Sequence, residues 1–189
     1  RAIPYGNRTS SAYSISTTSR AVIGATDPVY YMSAAEAEYL LAECYARLGD
    51  KGSAKTHYDK AVEFSFARWN HGDKAAEFIA VGKPYEFQDT DESMLKCILT
   101  QKWIASTRCQ AWDAWFDINR TGIPEVSEYT TDGDPDDYVL GTLAYNPNSS
   151  LAKGQFAHRF IYSKESLDYN TNAPTKVPAI TEPLWWHKK

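Results

Sequence analysis

Excess positive charge, long apolar runs and paired cysteines are what this sequence lacks. Lys and Arg number 20 against 24 Asp and Glu, and the formal net charge is −4. That balance argues against a general binder of phosphate backbones, which needs clustered positive charge. No apolar stretch approaches the roughly 20 residues that cross a bilayer, and no secretory leader pattern is present. Cysteine is scarce: Cys44, Cys97 and Cys109 are odd in number and lack metal-type spacing. They offer neither a disulfide framework nor a zinc site, and they assign no redox compartment. Cys44 and Cys97 fall in apolar helical patterns and are expected to be buried free thiols. The four histidines, His57, His71, His158 and His187, show no ligand spacing and no nucleophile motif beside them. Packing or solvent-facing roles are expected for all four.

Aromatic side chains are plentiful by contrast. Thirteen Tyr, seven Phe and six Trp exceed what a small core needs and favour a binding surface. A chain of 189 residues can also bury a sizeable core. It opens on Arg1-Ala2-Ile3-Pro4 and a Ser/Thr-rich run from Thr9 to Ser19, which reads as a loop entered in mid-protein. The expectation is one domain, part of a longer protein. Residues 1–32 read as a loop or extended lead-in, 33–124 as a helical core, and 125–189 as an irregular loop and tail packed on the helices.

Four helical segments are predicted. Ser33 caps the first, with Glu36 completing a capping box. Tyr39, Leu40, Ala42, Cys44 and Leu48 lie on several faces, so burial on most sides is expected. Leu48-Gly49-Asp50 turns the chain into a second helix carrying Ala54, Tyr58, Ala61, Val62 and Phe66. A short turn over 75–81 follows. A third helix starts at Asp91 or Ser93 and lines up Leu95, Ile98, Leu99 and Trp103. A fourth runs from about Gln110 to Arg120 and stops at Thr121-Gly122-Ile123-Pro124, with Gly122 expected in the left-handed region. An extended run or short strand is predicted over 156–162.

The order Leu41, Ala42, Tyr45, Ala54, Tyr58, Ala61 resembles a tetratricopeptide repeat, in which small residues let two antiparallel helices approach and large ones fill the gaps. Glu38 stands where that pattern usually has Trp. A lone repeat leaves one side of its helix pair without a neighbour, so Tyr39, Leu40, Val62 or Phe66 are expected to face missing partners. The fold class implied is mainly α: a tetratricopeptide-like hairpin packed with further helices and a long irregular tail.

Four segments together resemble the SusD-like family of outer-membrane, glycan-binding lipoproteins. They are Met32 to Glu43, Tyr58 to Ser65, Ile98-Leu99-Thr100-Gln101-Lys102-Trp103 with Arg120-Thr121-Gly122-Ile123-Pro124, and an ending with Arg159, Tyr162, Asn170 and Trp185-Trp186. The chain matches the C-terminal portion of that family. The resemblance implies a non-catalytic surface protein that binds an oligosaccharide or polysaccharide and hands it to a SusC-like TonB-dependent transporter. It implies outer-membrane attachment through an N-terminal lipid absent from this chain, no nucleic-acid partner and no cofactor. It carries no binding residue over. The alternative readings are a tetratricopeptide-type adaptor gripping a peptide, and a glycosidase.

Candidate sites follow from residue chemistry. Sugar rings stack on Tyr or Trp while their hydroxyls need Asn, Asp or Arg nearby. Tyr129, Tyr138 and Tyr145 with Asp134, Asn146 and Asn148 form the densest such group. Loop tyrosines anchoring the loop to the helices are the equal alternative. Trp103, Trp112 and Trp115 fall on helical stripes and are assigned to the core; Trp185 and Trp186 are expected to plug the tail into the body. Asp113 and Asp117, four apart on one helix, are the only close carboxylate pair. One helical face cannot flank a sugar from both sides, so no catalytic residue is assigned and Arg120 is the expected partner of Asp117. The acidic run Asp132 to Asp137 lacks the glycine and glutamate of a calcium loop. A solvated loop is preferred there, with calcium the alternative and no metal ligand assigned.

Overall fold

A computed structural model describes residues 22–130, 138–145, 151–152 and 155–187. The fold is mainly α, as the sequence predicts, and the chain divides into two compact units. One spans Arg20–Ile118 and the other contains Asn119–Lys189.

The first unit is built on helices α1 (Ala34–Arg47) and α2 (Lys51–Ala67). Ser33 sits in extended backbone and its Oγ accepts from the Glu36 N–H at 3.0 Å, which satisfies one of the orphan donors of α1. The reciprocal half of the expected capping box is not made. The Glu36 carboxylate accepts instead from Gln110 Nε2. At the other end Gly49 adopts φ 81°, a left-handed conformation open to glycine without strain. Asp50 then caps α2, its Oδ1 accepting from the Ser53 N–H at 3.0 Å.

The two helices meet through Ala42, Ala46, Ala54 and Ala61, all buried, with Tyr39 and Tyr58 filling the space between them. Those two rings lie 6.3 Å apart at 65°, an edge-to-face contact. Helix α4 (Asp91–Ala105) adds Met94 and Ile98 to the same apolar cluster. For that reason Tyr39 and Val62, expected to lack partners, are fully buried. Leu40, Leu41 and Leu48 of the hairpin remain exposed, as does Phe64. The expectation of α1 buried on most sides is therefore corrected. Its inward residues Ala35, Tyr39, Ala42 and Ala46 keep one helical stripe, and Cys44 lies off that stripe and is exposed rather than buried. Cys97 is partly buried, and burial pushes its thiol upward.

A 3-10 turn (Gly72–Lys74) leads into the single turn α3 (Ala75–Phe78). Phe66 meets Phe78 in a tilted contact at 4.9 Å and Phe78 stacks on Tyr85 at 5.0 Å, while the Tyr58 hydroxyl donates to Tyr85 O at 2.7 Å. Helix α5 (Ala111–Thr121) follows α4.

In the second unit Gly122 has φ 73°, the left-handed stop that the sequence predicts, and the Ile123–Pro124 bond is cis. Strands β1 (Val126–Thr130) and β2 (Leu143–Tyr145) pair in parallel, Val126 opposite Leu143 and Thr130 opposite Tyr145. Residues 156–162 contain no strand; their backbone is tied to the following tail by His158 N–H donating to Ile180 O at 2.9 Å. Arg159 adds bonds to Glu182 O and Pro183 O. A six-residue helix, α6 (Lys164–Tyr169), interrupts the tail expected to be irregular, with Ser163 as its cap.

Candidate functional site

The six predicted ligand-binding residues fall on or beside the small sheet. Tyr129 belongs to β1 and Tyr145 to β2, so strand pairing brings their backbones into one sheet. Tyr138 is partly buried and its hydroxyl donates to Thr142 O at 2.5 Å, which ties the phenol to its own loop. Burial raises that phenol above its ordinary range, and the bond to Thr142 offsets part of the rise. Asp134, Asn146 and Asn148 lie outside the described residues, as does the acidic run 132–137. Among the described residues no group of three or more His, Cys, Asp or Glu side chains is placed to hold a metal ion.

The Asp113–Asp117 pair is part of a larger polar cluster that the sequence does not reveal. Lys102 of α4 places its Nζ 2.6 Å from Asp117 Oδ2, with side chains 9% and 17% exposed. Glu36 and Asp113 share this neighbourhood. Burial raises the Glu36 carboxyl above its ordinary range; the Lys102 ammonium opposes the rise, and Asp113 and Asp117 add to it. The void among Ser33, Glu36, Lys102, Gln110 and Asp113 is about 10 Å³, no more than one water occupies. No sugar fits there. The cluster joins α1, α4 and α5.

Aromatic placement differs from expectation in two places. Trp112, assigned to the core, is 61% exposed, because the aromatic arc of α5 is wider than its buried side. Trp115 stands edge-on to it at 6.2 Å. Trp185, expected to plug the tail, is 87% exposed, while its neighbour Trp186 is half-buried.

A cleft of about 810 Å³ opens in the first unit at the C-terminal ends of α2 and α4, beside the lead-in around 22–30. That volume lies within the range of small-molecule sites. Arg68 organises it. The C-cap residue of α2, Arg68 extends its Nη1 to Ala105 O at 3.3 Å and Thr107 O at 3.1 Å, and lies 3.0 Å from Cys109 Sγ. Carbonyls in the last turn of a helix have no partner within it, and a cation there also opposes the helix dipole. The guanidinium carbon sits 4.8 Å from the Tyr30 ring centroid and 4.7 Å from that of Trp69, both cation–π distances. Nε and Nη2 of Arg68 have no acceptor among the described residues.

Backbone conformation singles out the same place. Asn70 (φ 60°) and Arg108 (φ 65°) are the two non-glycine residues in left-handed backbone among the described residues, and both line the cleft. Asparagine tolerates this region, whereas for arginine it costs roughly 1–2 kcal/mol. Strain of this kind concentrates at functional sites. Lys74 and His71 complete the basic side of the cleft, and Asp27 is its carboxylate. Sequence reasoning passed over Tyr30, Arg68 and Trp69. Their one local signal is an Arg-Trp pair immediately after a helix.

A SusD-like family model, described as starch-binding and associating with the outer membrane, matches residues 1–145. The match includes every residue of the cleft. No curated protein matches the chain.

Proposed function

This chain belongs to the SusD-like family, described as starch-binding and associating with the outer membrane, and from that premise we propose a non-catalytic glycan-binding protein. It captures oligosaccharide at the cell surface and passes it to a SusC-like TonB-dependent transporter. In the full-length protein an N-terminal lipid holds it to the outer membrane. The observation that carries this reading is the Tyr30–Arg68–Trp69 cleft, in which aromatic faces and polar groups share one opening. A sugar presents an apolar C–H face to an aromatic ring and hydroxyls to Arg, Asn and Asp. A few such contacts give modest affinity, which suits a protein that must release its ligand onward.

The absence of catalysis is supported by the carboxylates. Asp117 is held by Lys102, and the void beside the cluster admits no substrate. Among the described residues no helix is long and apolar enough to cross a membrane. Calorimetry and gel retardation with a panel of purified polysaccharides test the proposal. Saturable binding with no release of reducing sugar is expected; release of reducing sugar by the pure protein refutes it.

A further inference from the structure

We propose that the ligand of this cleft is an acidic, uronate-bearing oligosaccharide rather than a neutral glucan. The inference rests on the glycan-binding reading and narrows its substrate class.

A second opening of about 290 Å³ adjoins the cleft, with Phe66 and Lys74 in the lining of both, and the two are taken together as one groove. Along the combined groove stand four cations, Arg68, Lys74, Lys83 and Arg108, against two carboxylates, Asp27 and Glu77. This basic groove belongs to a chain whose formal net charge is −4. Neighbouring groups reduce the excess without cancelling it. Asp27 already accepts from the Gly24 N–H at 2.8 Å, and Asp73 lies 3.7 Å from Lys74 with both side chains exposed. The C-terminal ends of α2 and α4 add about half a negative charge each. Arg68, bonded to Ala105 O at the end of α4, opposes the contribution of that end.

Geometry is the stronger argument. The Arg68 guanidinium is fixed through Nη1 and set against two rings, while its Nε and Nη2 have no acceptor among the described residues. A planar guanidinium with one edge free and its orientation already fixed matches the two oxygens of a carboxylate. A neutral sugar hydroxyl uses only one donor of that fork. Beyond it the aromatic series Phe66, Phe78 and Tyr85 lines the second opening, with Lys74 and Lys83 beside it. An extended chain that alternates apolar ring faces with carboxylates fits this sequence of groups.

The test compares an oligogalacturonide, its methyl ester and a malto-oligosaccharide of equal length by calorimetry on the intact protein. The acid form is expected to bind at least about tenfold tighter than either neutral form, and to weaken as salt is raised. Arg68→Lys keeps the charge and loses the fork; a loss of roughly tenfold or more is expected for the acid form, exceeding any loss for the neutral forms. Because Arg68 also ties α4, Arg108→Gln and Lys83→Gln provide a second arm, each expected to weaken acid binding severalfold and by more than it weakens malto-oligosaccharide binding. Equal or tighter binding of the neutral sugars overturns the acid preference and leaves the glycan reading standing. Acid binding indifferent to both surface variants overturns its assignment to this groove. If none of the three sugars binds, the acid preference is overturned, and the polysaccharide panel decides the glycan reading separately.

Discussion

Replacing Lys102 by Met isolates the energetics of the α1–α4–α5 polar cluster. The substitution conserves length and apolar stem but removes the ammonium 2.6 Å from Asp117 Oδ2. Exposed ion pairs are worth about 0.2–1 kcal/mol, because water screens them. Breaking a buried pair costs about 3–5 kcal/mol, because the surviving charge stays desolvated. With side chains 9% and 17% exposed, this pair stands near the buried limit. Glu36 and Asp113 also lose the cation that opposes their mutual repulsion with Asp117. A loss of about 3 kcal/mol is expected, or a fall in Tm of roughly 6–12 °C for a chain of this size. Urea denaturation followed by tryptophan fluorescence reads it. Lys164→Met is the control, since its bridge to Asp168 at 3.4 Å is solvent-exposed; its cost should stay under about 0.5 kcal/mol. The double change Lys102→Met with Asp117→Leu should recover most of the loss, because neither charge is then desolvated. The reasoning is refuted if Lys102→Met proves as harmless as Lys164→Met.

Three further outcomes are expected. Gly122→Val should cost roughly 1–2 kcal/mol by the same denaturation assay, since the residue is held at φ 73°; an unchanged midpoint contradicts the role of Gly122 as a stop. The raised Glu36 carboxyl means that the folded state takes up its proton first as pH falls. Its contribution therefore rises from neutral pH toward the ordinary value of 4.5. In the difference between the urea midpoints of the parent and Glu36→Gln, that rise should appear as a slope with pH, and a flat difference rules it out. Asp117→Ala should lower stability and leave no hydrolytic activity to lose; any reducing-sugar release abolished by that change would make Asp117 catalytic.

How much could be read in advance depends on the range of the interaction. The α1–α2 hairpin is legible because its signals are local: small residues at Ala42, Ala54 and Ala61, large ones at Tyr45 and Tyr58, and a turn at Gly49. The cap at Asp50 and the stop at Gly122 are legible for the same reason. The cleft is not legible. Tyr30, Arg68 and the carbonyls of Ala105 and Thr107 meet only because two helix ends converge, and no periodicity marks that meeting. Lys102 hides in a stretch that reads as one face of an apolar helix, so its pairing with Asp117 carries no local signal. Strand β2 has three residues, too short for alternation to register. Trp112 shows the reverse error: helical spacing identifies a stripe without saying whether anything covers it.

The edge-to-face pair of Tyr39 and Tyr58 sets a limit that none of the surface tyrosines imposes. Burial holds both phenols well above the ordinary value of 10.0, Tyr58 most of all. In strong alkali an unfolded chain gives up these two protons while the folded chain keeps them. Stability present below that value is therefore lost as pH rises above it. An absorbance titration should thus show a gradual surface phase, followed by an abrupt one in which the core hydroxyls ionise together with the collapse of the hairpin.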